Sequence, residues 1–235
     1  MSKELKTLGL IGGMTWHSTA DYYRHINEAV AERAGDLHSA PLILHSVDFE
    51  QIEELMRKVQ WSTIGTKMKR IASSLVRAGV DGIAMTSNAI HKVADDVEGV
   101  IDRPFLHIVD PTAEAIKNAG FGNVALLGTA VTMSEEFYKG RLKKRHGIDV
   151  GVPEPDEQAE INRIIFEELG YGNINLSSKG ELLRLIDRLH KDGSEGVILG
   201  CTELGEIINA SDTDIPVFDT TTLHCTALAN FILSK

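Results

Sequence analysis

Two residues set the chemical question. In the stretch GVDGIAMTSNA (79–89) and the stretch GSEGVILGCTE (193–203), a Gly-x-acid-Gly start is followed by a mainly apolar run and then a polar cluster. Laid over each other without a gap, they put Ser87 in the place of Cys201. A thiol, with an unperturbed pKa of about 8.5, is an accessible base and acid. A hydroxyl is a far weaker acid and a poor base near neutral pH, but it can still give a proton to a carbanion. Two such groups on opposite faces of one carbon can invert a stereocentre, one removing a proton and the other returning it. Cys201 is followed by TELGEII, which reads as a helix start, so the expectation is a thiolate favoured by the positive end of a helix dipole.

Each residue also has a plainer reading. A lone buried cysteine is usually packing, and a loop serine is usually a hydroxyl cap. Cys225, in the apolar stretch TTTLHCTALANFIL, reads as core of a terminal helix. His91 follows Asn88 by three residues and fits either a pocket wall or a helix face. Glu203 and Asp48 fit a role in tuning Cys201 or orienting Thr202, and equally the role of caps or solvated acids.

The elements that must position these residues alternate along the chain. Apolar runs at 7–11, 41–46, 82–85, 105–108, 123–127, 196–199 and 216–218 read as buried strands, near-continuously apolar as in parallel sheets. Amphipathic patterns at 16–33, 62–78, 110–119, 157–169 and 179–191 read as helices. The order predicts an α/β protein with parallel sheets. The repeat extends further: KTLGLIGG (6–13) matches GNVALLGT (122–129) at an offset of 116, close to the 114 separating Ser87 from Cys201. That points to a duplicated α/β domain. The repeated junctions at 12–14, 86–89, 128–132 and 200–203 fall beyond the C-terminal ends of strands, where ligands bind in open parallel sheets.

Composition narrows the partners. With 235 residues the chain can bury a proper core, and its 43% hydrophobic and 25% charged content is that of a globular protein. A net charge of −10 argues against nucleic acid and acidic membrane surfaces, though not against a small anion in a locally positive pocket. No apolar run reaches the length of a membrane span, and MSKELKTLGLIGG lacks the apolar core and cleavage site of a signal peptide. Two cysteines suit a reducing cytoplasm, and no His/Cys cluster has metal spacing. The doubled glycine at Gly12 and Gly13 is not a dinucleotide fingerprint.

With LGLIGGMTWHST, HSVDF, TSNAIHKV, ALLGTAVTM and LGCTEL in view, the sequence resembles the aspartate/glutamate racemase family of cofactor-independent amino-acid racemases over nearly its whole length. The family's first motif, Pro-Cys-Asn-Thr-x-His, is matched at Asn88 and His91, while Ser87 replaces the cysteine and Ala89 the threonine. The second, Gly-Cys-Thr-Glu, is intact at 200–203. The resemblance implies two pseudo-symmetric α/β domains, 1–112 with 216–235 and 113–215, with the active site between them. It implies Cys201 and Ser87 as the catalytic pair, and Met14, Asn88, Ala89, Thr129, Thr132 and Thr202 as substrate-binding positions. It also implies an amino-acid substrate, no cofactor or metal, a homodimer and a cytoplasmic setting. Dicarboxylate-using members often place basic residues against the distal carboxylate. Here the first after HSVDF is Arg57 and after DEQAEIN is Arg163. A racemase of neutral amino acids such as homoserine, a single-cysteine decarboxylase of the same superfamily and a non-catalytic amino-acid binder are the alternatives.

Overall fold

The computed structural model describes residues 5–235, so the first four residues of the expected non-signal start lie outside it. The chain divides into two compact units, Met1–Ile108 with His224–Lys235, and Val109–Leu223. In the first the order is β1 (Leu8–Gly12), α1 (Trp16–Ala34), β2 (Leu42–Ser46), α2 (Phe49–Arg57), α3 (Trp61–Arg77), β3 (Gly82–Met85), a 3₁₀ turn (Ala89–Val93) and α4 (Ala94–Glu98). The strands form a parallel sheet in the order β2-β1-β3. Side chains of β1 alternate between two layers. Leu8 and Leu10 join a core with Tyr22, Ile26 and Val30 of α1, while Ile11 joins another with Ile64, Met68 and Ile71 of α3. Each such fully buried side chain contributes roughly 1.5–3 kcal/mol. Helix α1 is started by Thr15, whose hydroxyl accepts from the Ser18 N–H, and stopped at Gly35, whose φ of 76° few other residues adopt.

The second unit runs α5 (Val109–Asn118), β4 (Asn123–Gly128), α6 (Ala130–Ser134), α7 (Glu136–Arg141), β5 (Asp149–Gly151), α8 (Pro155–Arg163), α9 (Leu176–Lys191), β6 (Val197–Gly200), α10 (Leu204–Ile207) and β7 (Val217–Asp219). Its sheet is parallel, in the order β5-β4-β6-β7. Leu127, Leu199, Ile161, Leu182 and Ile186 centre its core. The last helix, α11 (Thr220–Leu233), passes from this unit into the first at His224 and gives Cys225, Leu228, Ala229 and Ile232 to the layer over Leu8 and Leu10.

The repeated Gly-x-acid-Gly turns do the same work in each unit. Gly79 and Gly193 sit at φ of 88° and 107° after a helix, where a Cβ is disfavoured. The acid then grips the start of the neighbouring strand. Asp81 accepts from the Thr7 N–H at 2.8 Å, and Glu195 accepts from the Gly122 and Asn123 N–H groups at 2.8 and 2.9 Å. The second glycine makes room for a ring: a Cβ on Gly82 would lie 2.6 Å from Phe231, and one on Gly196 2.7 Å from Phe218.

Several expectations need correction. The 105–108 run is no strand. Phe105 makes a single bridge to Ile83, after which the Ile108 N–H turns to a histidine ring. The helix expected at 157–169 begins earlier, at Pro155, with a Glu154/Glu157 capping box, and after Arg163 widens into a π turn over Ile164–Glu168. Strand β5 is too short to leave an apolar run. Units meet at 108/109 and 223/224, whereas boundaries at 112/113 and 215/216 were expected, because β7 hydrogen-bonds to β6 and α5 begins at Val109.

Candidate active site

In the first unit β1 and β3 are adjacent, so the turns that follow them are neighbours. A hydroxyl relay ties them. Thr19 Oγ1 accepts from the Gly13 N–H at 2.7 Å, donates to the Thr15 carbonyl at 2.9 Å and lies 3.2 Å from Thr86 Oγ1. Around this knot stand Met14, Ser87, Asn88 and Ala89, of which Met14, Asn88 and Ala89 are buried. The Met14 side chain packs in the core with Ile11 and Ile52, so the strand end presents its backbone rather than its thioether. Asp48 precedes α2 without a side-chain cap bond, and its carboxylate takes the Gln51 amide at 3.1 Å.

In the second unit β4 and β6 are adjacent in the same way. Thr129 and Thr132 are buried with their hydroxyls 3.0 Å apart. Asn162 of α8 accepts from the Ala130 N–H at 2.9 Å and so fixes the start of α6. Cys201, 8% exposed, donates to the Glu203 carboxylate at 3.0 Å, and the Thr202 hydroxyl donates to the same oxygen at 2.6 Å. One acid thus holds both side chains of the motif. Asn162, which sequence reasoning passed over, carries no signal beyond its place in an amphipathic helix. For Glu203 the sequence leaves open a role in tuning Cys201 or orienting Thr202 and that of a cap or solvated acid; its carboxylate bonds to both side chains.

The electrostatics of Cys201 reverse the expectation from its sequence context. Burial raises its pKa well above the ordinary thiol value, and the charge and hydrogen bond of Glu203 raise it further. Bonds from the Thr202 and Glu203 backbone N–H groups act in the opposite sense and are outweighed. The helix meant to lower it, α10, is a single turn of four residues with little dipole to offer. The resting group is therefore a thiol hydrogen-bonded to a carboxylate. Cys225 is buried in the first unit's core, as expected of a packing residue, and both cysteines are free thiols.

Among the described residues no group of His, Cys, Asp and Glu is arranged to hold a metal ion, and no helix is long and apolar enough to cross a membrane. Two parallel α/β sheets, one of them carrying a Cys-Thr-Glu corner at a strand end, place the chain in the α/β class with a thiol–carboxylate pair beyond its sheet. Residues 11–228 match the model of the Asp/Glu/hydantoin racemase family, and the chain belongs to that family of isomerases. It is similar to the crystal structure of a proposed Asp/Glu racemase from Yersinia pestis, with 46% identity, a TM-score of 0.92, and coverage of 98% of this chain and 100% of that one. It is also similar to an aspartate racemase homologue from Pyrococcus horikoshii OT3, with 38% identity, a TM-score of 0.85 and the same coverage. The broad specificity amino-acid racemase RacX of Bacillus subtilis (strain 168) is 24% identical over 148 residues, which span 63% of each chain.

Proposed function

We propose that the protein is a cofactor-independent amino-acid racemase acting on aspartate- or glutamate-type substrates and favouring the L-enantiomer, with Cys201 and Ser87 on opposite faces of the α-carbon. The observation that carries the reading is the Cys201 thiol donating to Glu203 within an intact Gly-Cys-Thr-Glu motif. As the L-substrate binds, the thiol proton passes to the Glu203 carboxylate, and the thiolate sulfur takes the α-proton. The C–H electron pair stays on the substrate as a carbanion delocalised into its carboxylate. Backbone N–H groups and the hydroxyls of Thr129, Thr132 and Thr202, with Asn88, Ala89 and Met14 on the other side, supply donors for that carboxylate and the amino group. Ser87, or a water beside it, returns a proton from the opposite face and is itself reprotonated from solvent, while Glu203 gives up to solvent the proton it took from Cys201, which now carries the substrate's. Starting from the D-enantiomer, the base would have to be a hydroxyl, which makes exchange of the D α-proton slow. Because a racemisation has an equilibrium constant of one, net turnover from L is lowered with it, and the preference for L shows in α-proton exchange. The reading includes a homodimer, a cytoplasmic setting and no pyridoxal cofactor.

One observation favours a second reading of substrate. Arg57 is paired with Glu50 and Glu53, and Arg163 with Glu160 and Glu168, so neither arginine is a spare charge for a distal carboxylate. A neutral side chain such as that of homoserine fits this better. Exchange of the α-proton in D₂O, followed by NMR on separate L and D samples of aspartate, glutamate and homoserine, tests both readings. Exchange from L-enantiomers that is lost in Cys201→Ser, with D exchange rising in Ser87→Cys, is the expected result. Equal initial exchange from both enantiomers would overturn the assignment of faces, and no exchange from any of the six would favour a decarboxylase or a binding protein.

A further inference from the structure

Three buried histidines, His91, His107 and His224, lie in the first unit outside the chemistry just described. The backbone around His91 is unusual. Its own N–H bonds to the Asn88 carbonyl at 3.1 Å, a 3₁₀ contact, and it is the imidazole Nδ1 that reaches the Ser87 carbonyl, at 2.7 Å. The side chain thus occupies the acceptor that the backbone N–H four residues on would take in an α-helix. At the far edge of the ring, Nε2 accepts from the Ile108 N–H at 3.3 Å. With Nε2 an acceptor, the proton sits on Nδ1 and the ring is neutral, an assignment that follows from its partners.

The other end of the bracket is itself held. His224 of α11 faces the Leu106 carbonyl through Nε2 at 2.9 Å and the Tyr22 hydroxyl of α1 through Nδ1 at 2.9 Å. His107 lies against the His91 ring with centroids 4.4 Å apart, and Phe105 lies at 5.7 Å. The segment 105–108 is therefore a fixed anchor, and His91 connects it to the turn that bears Ser87.

We propose that His91 is a positioning residue that sets the plane of the Ser87–Asn88 peptide. In a trans peptide the N–H points opposite to the carbonyl. Holding the Ser87 carbonyl against the imidazole therefore aims the Asn88 N–H away from the ring and fixes the backbone that carries the Ser87 hydroxyl. What that peptide does for a substrate rests on the racemase reading, whereas the bracket itself does not.

The test compares His91→Asn, whose amide nitrogen overlays Nδ1 and keeps the donor, with His91→Phe, which keeps ring bulk without it. The expected result is a loss of about ten- to hundredfold in kcat for L-substrate exchange in His91→Phe with little change in KM, most of it recovered in His91→Asn. The Ser87 carbonyl ¹³C resonance should shift in His91→Phe and return in His91→Asn. If His91→Phe does not fold, His91→Gln, whose amide mimics Nε2, replaces it as the donor-deficient variant. Activity that falls equally in both variants in step with Tm, or an unmoved Ser87 resonance in the donor-deficient one, overturns the proposal. If the wild-type chain exchanges no amino acid, the racemase reading fails and the carbonyl resonance alone decides His91.

Discussion

Glu203 accepts from the side chains of both residues before it, and that shared acceptor makes Cys201 a different reagent from an exposed cysteine. Burial and the neighbouring charge both keep the proton on sulfur. Glu203→Gln removes the charge and should lower the thiol pKa, so alkylation of Cys201 by iodoacetamide near pH 9 is expected to run faster than in the wild type. The same change deletes the acceptor for the thiol proton, and L-substrate exchange should fall by about 10² or more. Faster alkylation accompanied by undiminished exchange would remove Glu203 from the proton path. The linkage has a definite sign. A thiol harder to ionise in the folded than in the unfolded chain contributes stability that is full below the unfolded pKa. That stability is lost as pH climbs toward the raised folded value.

At the scale of elements, the clearest local conflict is the end of α2. The Gln60 N–H closes back on the Leu55 carbonyl at 2.8 Å and the Val59 N–H on Met56 at 2.9 Å, a stop that places Val59 at a φ of 55°. A β-branched residue in the left-handed region is strained, and 72% exposure leaves it little packing in return. Val59→Gly should stabilise the fold by about 0.5–1 kcal/mol, read from denaturant midpoints. The stop was invisible from sequence because no glycine marks it, and α2 itself was not foreseen. By contrast, β1, β3, β4 and β6 were legible from apolar runs ending in small residues, since a strand covered on both faces has no polar alternative. The 105–108 run carried the same signal but differs in fate, because its later hydrogen bonds go to His91 and His224, partners distant in sequence. The site divided similarly. Repeat and motif single out Cys201 and Ser87 as candidates, but they do not give the direction of the Cys201 pKa, since it depends on burial and on which way Glu203 turns.

At the scale of the whole molecule, a net charge of −10 sets how a substrate approaches. Aspartate and glutamate arrive with a net negative charge, homoserine with none. Screening lengthens or shortens that repulsion, with a Debye length of about 30 Å at 0.01 M salt and about 8 Å at 0.15 M. Raising salt over this range should lower KM for L-aspartate and leave that for L-homoserine unchanged, measured by initial exchange rates at fixed pH. A KM for aspartate that rises instead would point to a locally positive site that salt weakens. The path of α11 bears on how the protein is made. The second unit is one continuous stretch, but the first draws Leu228, Ala229 and Ile232 from beyond it. As the chain leaves the ribosome, residues 109–223 can close on themselves while the earlier-made unit has only α1 over Leu8 and Leu10 and lacks the α11 share of that layer, so the unit begun earlier is completed later.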